Sequence, residues 1–503
     1  MQSEPFFSFL FAKKNNVLAI IHPEFVDAHT HIATEVFYSE GTTLDAFLEV
    51  ERCCPSPIAY QLVEQQRLED DISLTYQAAQ SEMNNIDELN DVIDLDELVE
   101  NMPQNADLLD VQDDAPIIRL INGLFARALQ QNASDIHIET FEHSMSVRFR
   151  VDGVLKQVLT PHRKAAPLLN SRIKVMAKLD IAEKRVPQDG RVSLRMAGKA
   201  LDVRVSTIPS MYGERIVLRL LDTQSVQLDL THLGMPANCL KEFTYLLRQP
   251  NGIILVTGPT GSGKTTTLYA GLTGLNSKSR NILTIEDPVE YALEGIGQTP
   301  VNEKSQMSFA KGLRAILRQD PDIVMIGEIR DAETAQIAVQ ASLTGHLVLS
   351  TLHTNDAFGA ITRLKDIGVE SYLIASSLKG ILAQRLVRKL CNNCKQAEIL
   401  LAEDALSLGD ASLAGISVFE SKGCLECHHT GFSGRQGVYE LLVIDQELTR
   451  QIHANEGEPT MRKYLKGKFN TMLDEGRSLV IEGTSSTSEV LRSVRDSQQN
   501  AIL

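Results

Sequence analysis

The sequence predicts an α/β core built on a doubly wound parallel sheet, and two observations support this fold class. From Leu233 to about Gly380, short apolar runs alternate with segments of helical periodicity, as expected when helices bury parallel strands on both faces. The run Gly258–Thr265 (GPTGSGKT) follows one apolar run and opens a helical segment, the context that a phosphate-binding loop requires. The predicted elements are strands 253–257, 282–286, 323–327 and 347–352 and helices 265–275, 308–318, 332–343 and 356–366.

Composition and charge limit the classes of function. A chain of 503 residues, 43% hydrophobic and 23% charged, has the composition of a globular protein of several domains. The net charge of −16 is local, because Leu68 to Ile118 holds 15 of the 65 acidic residues and no Lys or Arg. The remainder has 50 acidic residues against 49 basic ones. This nearly neutral body gives no electrostatic case for nucleic-acid binding.

The N-terminus does not have the pattern of an export signal. Its apolar stretch is short, and Lys13 and Lys14 follow that stretch instead of preceding it. No apolar run approaches the length needed to cross a bilayer. We therefore expect a cytoplasmic chain without a transmembrane segment, whose contact with a membrane goes through a partner.

Shifts in composition and periodicity divide the chain into six segments. The first has a helix-like stretch around Ala59–Leu68 and no catalytic pattern, so a binding module is its default interpretation. The second is acidic, and a solvated tether is favoured over an acidic binding tail. The third is an α+β domain with a helix from Asp114 to about Gln131, a hairpin turn at Asp152–Gly153 and a helix over 164–179. The segments are a partner-docking domain 1–82, an acidic linker 83–114, a companion domain 115–232, a phosphate-loop core 233–385, a tetracysteine subdomain 386–437 and a helical C-terminal subdomain 438–503.

The phosphate-binding loop predicts the first site. Its glycines let backbone N–H groups turn inward around a polyphosphate, and the helix N-terminus adds positive dipole charge. Lys264 can reach the β- and γ-phosphates of ATP, and the Thr265 hydroxyl can ligate Mg²⁺. The alternative is a glycine-rich turn with an accidental lysine. The candidate ATP-binding residues of the loop are Gly258, Thr260, Gly261, Ser262, Gly263, Lys264, Thr265 and Thr266.

Acids and histidines follow the other predicted strands. Glu286 ends the second strand, and Glu328 follows the third, where Gly327 stands in place of the aspartate usual in phosphate-loop proteins. Carboxylates at these strand ends can hold Mg²⁺ or orient water, although an ordinary acidic turn is the alternative for Glu286. His346 and His353 bracket the fourth strand, and His353 is our candidate γ-phosphate sensor, with packing histidines as the alternative.

Four of the seven cysteines form two Cys-x-x-Cys pairs separated by 29 residues. Four thiolates from two tight turns make a closed tetrahedral cage, which predicts a structural Zn²⁺ site. Haem attachment at Cys424–His428 is disfavoured by the second pair and the expected cytoplasmic setting, and a redox dithiol lacks a thioredoxin-like pattern. The other three cysteines are interpreted as buried apolar residues. The predicted zinc ligands are Cys391, Cys394, Cys424 and Cys427.

Four blocks of the core resemble the nucleotide motifs of the secretion-superfamily ATPases. In the order Walker A, Asp box, Walker B and His box they are Gly258–Thr265, Leu283–Tyr291, Asp322–Arg330 and Thr344–Asn355. The resemblance implies a RecA-like P-loop core, ATP hydrolysis and a ring-shaped homo-hexamer. It extends to the companion domain of the assembly-type members, through the blocks Ala133–Glu139, Arg148–Gly153, Pro187–Arg191 and Gly213–Arg215.

The same resemblance implies four arginines as nucleotide contacts. In the family, arginines of the companion domain close over the nucleotide and stabilise transition-state charge, and the matching positions are Arg204 and Arg219. Arg314 and Arg318, one helical turn apart before the Walker B strand, are the other two candidates. A guanidinium matches phosphate oxygens and stays charged, while a surface or structural arginine is the alternative for each.

The tetracysteine segment indicates which members of this family the chain resembles. Retraction motors lack such a segment, whereas type II secretion and pilus-assembly motors carry it. The first domain and the acidic linker resemble the type II secretion form, which drives pseudopilus assembly and protein export. That form implies docking of residues 1–82 on the cytoplasmic domain of a GspL-like inner-membrane protein and contact with a GspF-like platform protein, hence a peripheral position at the inner membrane. A type IV pilus-assembly ATPase and, from another class, a nucleotide-gated scaffold are the alternatives.

Overall fold

The computed structural model describes residues 115–196, 199–222 and 228–494, together with parts of the N-terminal segment: 4–5, 7, 11–12, 15–21, 34–39, 41–54, 57–65, 67–68 and 71–72. The predicted acidic linker lies outside the described residues. The chain divides into two compact units, the first formed by 1–149 and 155–224 and the second by 150–154 and 225–503. The six-segment division stays a prediction.

A four-stranded sheet forms in the N-terminal part of the first unit. Its elements are β1 (Glu4–Pro5), β2 (Val17–Ile21), β3 (Thr34–Tyr38), α1 (Leu44–Cys53) and β4 (Ile58–Leu62). β1, β2 and β3 pair antiparallel, and β3 pairs parallel with β4. The predicted helical stretch is therefore wrong over 59–62, because pairing with β3 decides the backbone there and local periodicity does not report that pairing.

A six-stranded sheet and two helices follow. They are α2 (Ala115–Gln130), β5 (Ala133–Thr140), β6 (Met145–Val151), β7 (Val154–Leu159), α3 (Ala166–Met176), β8 (Gln188–Met196), β9 (Lys199–Ser210) and β10 (Gly213–Asp222). The strand order is β7-β6-β5-β10-β9-β8, and Asp152–Gly153 makes the predicted hairpin turn between β6 and β7. Apolar side chains such as Val203 and Leu218 fill the core face, so their neighbours Arg204 and Arg219 lie on the opposite face.

The second unit begins with strands and helices in alternation. They are α4 (Ala237–Leu247), β11 (Gly252–Thr257), α5 (Lys264–Leu275), β12 (Ile282–Glu286), β13 (Gly297–Pro300), α6 (Phe309–Ile316), β14 (Ile323–Ile326), α7 (Ala332–Leu343), β15 (Leu347–Leu352), α8 (Ala357–Asp366), α9 (Ser371–Ser377) and β16 (Leu378–Leu390). The predicted strands and helices of the core are each confirmed to within two residues at either end.

The described remainder of this unit, up to Val494, holds a small two-stranded sheet, a long strand and five α-helices. These elements are β17 (Gln396–Ile399), α10 (Ala402–Ser407), β18 (Ser417–Glu420), β19 (Phe432–Val443), α11 (Gln446–His453), α12 (Glu458–Leu465), α13 (Met472–Ile481) and α14 (Thr487–Val494). β17 pairs antiparallel with β18. The helices that follow β19 agree with the predicted helical C-terminal part.

A seven-stranded sheet organises the second unit, in the order β13-β12-β14-β15-β11-β16-β19. All neighbours pair parallel except β16 and β19, which pair antiparallel at one edge. Ile253 and Leu255 of β11 point into one apolar cluster, and Ile254 and Val256 point into another on the opposite face. The predicted boundaries at 385 and 437 fall inside β16 and β19, because the sheet continues through both segments.

Glu440 of β19 is a buried carboxylate beneath two helix N-termini. Its Oε1 accepts from the N–H of Ala357 at 3.1 Å, and its Oε2 accepts from the N–H of Met472 at 3.1 Å. Burial raises the pKa of Glu440 to about 7, against the effect of these N–H groups. Because this pKa lies above the ordinary value of 4.5, the contribution to stability is full below pH 4.5 and is lost as the pH rises from 4.5 towards 7.

At pH 5, where Glu440 is mainly protonated, we expect Glu440→Gln to lower the free energy of unfolding by about 1–3 kcal/mol, because the amide NH₂, unlike a carboxyl hydroxyl, cannot accept from the N–H group that it faces. Urea unfolding followed by circular dichroism measures this, since the chain has no tryptophan. The control is Glu403→Gln at an exposed position of α10, which should change stability by less than about 0.5 kcal/mol. Equal effects of the two substitutions would contradict a capping role for Glu440.

Candidate functional site

The loop between β11 and α5 has the backbone of a phosphate-binding loop. Gly258, Gly261 and Gly263 have φ angles of 147°, 81° and 86°, which residues with a side chain rarely adopt. A Cβ at Gly258 would lie 2.4 Å from the backbone oxygen of Gln384 and 2.6 Å from Ser262 Oγ. Glycine is therefore required where the loop passes against β16, and the loop opens at the carboxyl edge of the sheet.

Lys264 begins α5, and its side chain turns back across the loop. Nζ donates to the carbonyl oxygens of Gly258 at 2.8 Å and Pro259 at 3.1 Å, and the residue is only 8% exposed. Burial lowers the pKa of Lys264 to about 8, a shift that the charge of Glu328 opposes. An anion bound at the loop would stabilise the charged form of this ammonium.

The other loop residues surround the N-terminus of α5. Thr260 and Gly261 are exposed at the tip, Ser262 is buried, and Thr265 and Thr266 lie in the first helical turn, where Thr265 is exposed. Unpaired N–H groups at a helix N-terminus and the helix dipole both favour an anion at this point. The structure thus gathers the predicted ATP-binding residues of the loop in one place, and their contacts with nucleotide stay predictions.

Glu328 lies just beyond β14 and joins the other predicted catalytic groups. Its Oε1 is 2.5 Å from Arg330 Nη2, and its Oε2 is 3.5 Å from His353 Nε2. The hydrogen bond to Glu328 raises the pKa of Arg330. Burial and then the charge of Lys264 lower the pKa of His353, which Glu328 partly opposes, so the ring is mainly neutral at pH 7. Lys264, Glu328 and His353 therefore act on one another electrostatically.

Glu286 occupies a different environment at the end of β12. It is 2% exposed, and its carboxylate accepts from the Tyr269 hydroxyl, from Thr284 Oγ1 at 2.5 Å and from Gln298 Nε2 at 3.1 Å. Burial and the bond to Glu286 raise the pKa of Tyr269. These partners tie β12 to α5 and β13, whereas the charge of Glu328 acts on Lys264. The catalytic role of Glu286 stays a prediction.

The four predicted arginines form two pairs. Arg204 of β9 lies directly opposite Arg219 of β10, whose Nε is 3.0 Å from Asp135 Oδ1. Arg314 of α6 forms an ion pair of 2.6 Å with a glutamate of α7, and Arg318 donates to the carbonyl oxygen of Arg314 at 2.9 Å. The first pair belongs to the first unit and the second pair to the second unit. Their nucleotide contacts stay predictions.

The four predicted metal ligands come together between the end of β16 and the start of β19. All four sulfurs lie within 4.8 Å of one another. The separations are 3.9 Å for Cys391–Cys424, 3.8 Å for Cys394–Cys427 and 3.7 Å for Cys424–Cys427. Four thiolates at the usual Zn–S distance of about 2.3 Å stand about 3.8 Å apart in a tetrahedron, so these three separations are those of a Zn²⁺ site.

Backbone N–H groups support thiolates in this cluster. Cys427 Sγ accepts from the N–H groups of Cys424 and Gly431, both at 3.2 Å, and Cys394 Sγ accepts from that of Gly423 at 3.3 Å. Burial opposes ionisation of Cys427, but the N–H groups outweigh it and lower its pKa to about 6. Burial raises the pKa of Cys391, and it raises that of Cys394 to about 12. The surroundings therefore favour the thiolate, which is the form that binds metal, at Cys427 and oppose it at Cys391 and Cys394.

The sequence does not single out two residues of the nucleotide site. Arg330 lies in the Walker B block, two residues after Glu328. In an extended segment this spacing places both side chains on the same side, and it is the sequence signal that would have identified Arg330. Gln384 contacts the phosphate loop through its side chain and its backbone, yet it lies in β16, 122 residues after Ser262. Sequence spacing carries no signal for such a contact.

The sequence of the chain matches a family profile described as Type II/IV secretion system protein over residues 110–492. The chain belongs to this family. Type II secretion system ATPase E of Vibrio cholerae serotype O1 is 54% identical over 92% of this chain and 92% of its own length. Type II secretion system protein E of Klebsiella pneumoniae is 51% identical over 98% of this chain and 97% of its own length.

Solved structures agree with this family. The pilus retraction motor PilT with bound ADP is 28% identical and covers 74% of this chain and 96% of its own, with a TM-score of 0.51. The ATPase DotB of Legionella pneumophila, 21% identical with a TM-score of 0.56, covers 74% of this chain and 94% of its own and supports the fold alone. The predicted fold class and the assignment to the type II secretion ATPases are confirmed. Among the described residues, no helix combines the length and apolar character needed to cross a membrane.

We expect nucleotide binding to take up a proton at high pH. Because the pKa of Lys264 is about 8 before binding and phosphate charge would raise it, affinity for ATP should fall above pH 8, by at most about tenfold per pH unit. Calorimetric titration at pH 9 in buffers of different ionisation enthalpy measures the uptake. Lys264→Arg is the control, because a guanidinium stays charged and cannot take up this proton. Equal uptake by both proteins would contradict the assignment to Lys264.

Proposed function

We propose that this secretion ATPase hydrolyses ATP at Gly258–Thr265 and uses the free energy to drive pseudopilus assembly and protein export by a type II secretion system. The observation that carries the proposal is Lys264, buried in a phosphate-binding loop and electrostatically coupled to Glu328 and His353. Such a loop binds a triphosphate, and a carboxylate near it can orient water for attack. Relatives named for type II secretion align with nearly the whole chain, which supports the physiological setting.

Each group of the site has a proposed role. Backbone N–H groups of the loop and the Lys264 ammonium hold the β- and γ-phosphates. The Thr265 hydroxyl would hold Mg²⁺, which supplies charge neutralisation between the phosphates. Glu328 orients the attacking water, and neutral His353 senses the γ-phosphate by a hydrogen bond. Glu286 contributes through the position of β12 and α5, since protein donors already occupy its oxygens.

The arginines complete the site in a homo-hexameric ring. We assign Arg204 and Arg219 to closure of the companion domain over the nucleotide, and Arg314 and Arg318 of the core to phosphate contacts. Arginine suits both tasks, because its planar guanidinium binds phosphate oxygens in pairs and stays charged. Loss of the γ-phosphate would then release the companion domain, and rigid-body motion of that domain would transmit force.

The tetracysteine subdomain is proposed to hold one structural Zn²⁺. Cys391, Cys394, Cys424 and Cys427 fill all four tetrahedral positions, which leaves none for a substrate. The ion would fasten the turn after β16 to the turn before β19, the two antiparallel strands at the sheet edge.

Residues 1–82 are proposed to dock on the cytoplasmic domain of a GspL-like inner-membrane protein, with further contact to a GspF-like platform protein. The chain would then act in the cytoplasm and reach the inner membrane through these partners. This assignment rests on the resemblance and on the alignment of the chain with type II secretion relatives over 98% of its length. A pull-down with the full chain, compared with one lacking 1–82, tests it.

Two other functions are less well supported. A type IV pilus-assembly ATPase would share the core and the tetracysteine site, but these relatives are named for type II secretion. A nucleotide-gated scaffold that hardly hydrolyses ATP would not need Glu328 beside Lys264. A steady-state assay on a covalently stabilised hexamer separates the scaffold from the enzyme, because a monomer lacks neighbouring subunits.

Lys264→Ala should reduce the rate of phosphate release by more than about 100-fold, because the charge that meets the phosphates is lost. The readout is inorganic phosphate released from ATP by the assembled protein. Lys278→Ala, at an exposed lysine beyond α5, is the control and should keep full activity. Normal turnover by Lys264→Ala would refute the assignment of the site.

We expect one zinc ion per chain in the purified protein and its loss in Cys424→Ser, because three thiolates cannot close the cage. Elemental analysis of both proteins measures the metal, and Cys53→Ser, outside the cluster, should retain it. Iron in place of zinc, or a wild-type protein without metal, would overturn the prediction.

A further inference from the structure

We propose that Gln384 is a positioning residue for the reaction: from β16 it fixes the peptide between Ser262 and Gly263 and thereby aims a backbone N–H of the phosphate loop. The inference rests on the proposed function in one respect, that this loop binds the phosphates of ATP. It adds a residue outside the nucleotide motifs, 122 positions after Ser262 in sequence.

Gln384 sits where the sheet meets the loop. β16 pairs with β11 on one side, with Ala383 opposite Thr257, and with β19 on the other, with Gln384 opposite Tyr439. Tyr439 packs in the apolar cluster that also contains residues of α5, so Gln384 lies on the face that carries α5. The residue is 2% exposed, and a buried amide must find partners within the protein.

Both ends of the amide are engaged by the loop and its helix. Nε2 donates to the carbonyl oxygen of Ser262 at 2.6 Å, and Oε1 accepts from Thr267 Oγ1 at 2.8 Å. Ser262 and Thr267 are 3% and 1% exposed. Since a carbonyl only accepts, its partner must be a donor, and a carboxylate or an apolar side chain at this position cannot replace the amide.

The bond to Ser262 determines the direction of the next N–H. In a trans peptide the C=O and the following N–H point in opposite directions. With the Ser262 carbonyl held on Gln384, the N–H of Gly263 points away from β16, and Gly263 accommodates this with a φ of 86°. A flipped peptide would present a carbonyl oxygen, which repels phosphate, in place of a donor. Gln384 therefore selects the loop conformation that receives an anion.

Two further contacts show that β16 supports the site through other groups as well. The backbone oxygen of Gln384 lies so close to Gly258 that a Cβ there would be 2.4 Å away. The next residue, Arg385, donates through Nη2 to the side chain of Asn355 at 3.2 Å and to its carbonyl at 3.3 Å. Asn355 follows His353 by two residues. Consecutive residues of one strand thus hold the phosphate loop and the His box.

Gln384→Glu distinguishes a positioning role from a merely structural one, because only the positioning role predicts a pH-dependent loss of affinity. A carboxylate can still accept from Thr267 but cannot donate to Ser262, whereas its protonated form can donate. Burial and the carbonyl acceptor both raise the pKa of this glutamate, so donation returns as the pH falls. For the full chain and a fluorescent ATP analogue, we expect a Kd about tenfold or more above wild type at pH 8, recovering to within about threefold at pH 6.

Gln384→Leu supplies the second arm, because it can donate at no pH. Its Kd for the analogue should stay raised by about tenfold relative to wild type from pH 6 to pH 8. In hydrolysis assays KM should rise more than kcat falls, because the loop contacts the phosphates in both the ground state and the transition state. The matched control is Gln451→Leu, a 3% exposed glutamine of α11, which should bind as wild type does.

Thr267→Val keeps Gln384 and removes the hydroxyl that orients its amide, so it tests the proposal if the Gln384 variants fail to fold. We expect its Kd to rise by a few-fold, with unchanged circular dichroism. A wild-type chain that binds no analogue would contradict the proposed function itself. Wild-type affinity in Thr267→Val or in Gln384→Leu, or a Gln384→Glu defect that is the same at pH 6 and pH 8, would overturn the positioning role alone.

Discussion

The ammonium group of Lys264 is buried, where a positive charge is energetically unfavourable, and the other groups of the site compensate for this burial. Taking an ammonium out of water is unfavourable unless hydrogen bonds and opposite charge offset the loss. The carbonyls of Gly258 and Pro259 and the charge of Glu328 offset part of it, and the lowered pKa of Lys264 records the part that is left. A bound triphosphate would supply the negative charge that is still needed to offset the burial of Lys264. The loop is therefore arranged for an anion before any anion binds.

The seven-stranded sheet positions the groups that surround Lys264. β11 leads into the phosphate loop, β14 into Glu328, β15 into His353, and β16 holds the loop from the side. Each of these strands is buried on both faces, and close packing leaves its end little freedom to move. Groups that are far apart in sequence are therefore held in fixed relative positions, and positioning phosphates and water demands a precision of about 0.5 Å.

The strands and helices of the core and the chemistry of its motifs can be predicted from the sequence, because short local patterns encode both. Buried parallel strands appear as apolar runs, and the glycines of the loop appear because only they tolerate its φ angles. Pairing partners are not encoded locally, so the predicted helix is wrong over 59–62, and the sequence does not predict the long strand β16 or its partner β19 at the sheet edge. Glu286 and Glu328 both lie at the ends of apolar strands, and the sequence does not distinguish the buried, hydrogen-bonded Glu286 from Glu328, whose charge acts on Lys264. Gln384 has no local signature, because its function is defined by what lies across the sheet.

A structure of the full chain with a non-hydrolysable ATP analogue is the most direct measurement of the central claim. The account predicts that Lys264 Nζ exchanges the carbonyls of Gly258 and Pro259 for phosphate oxygens at about 2.7–3.1 Å, while the carbonyl of Ser262 stays on Gln384. A loop without bound phosphate at saturating analogue, or phosphates bound away from Lys264, would contradict it.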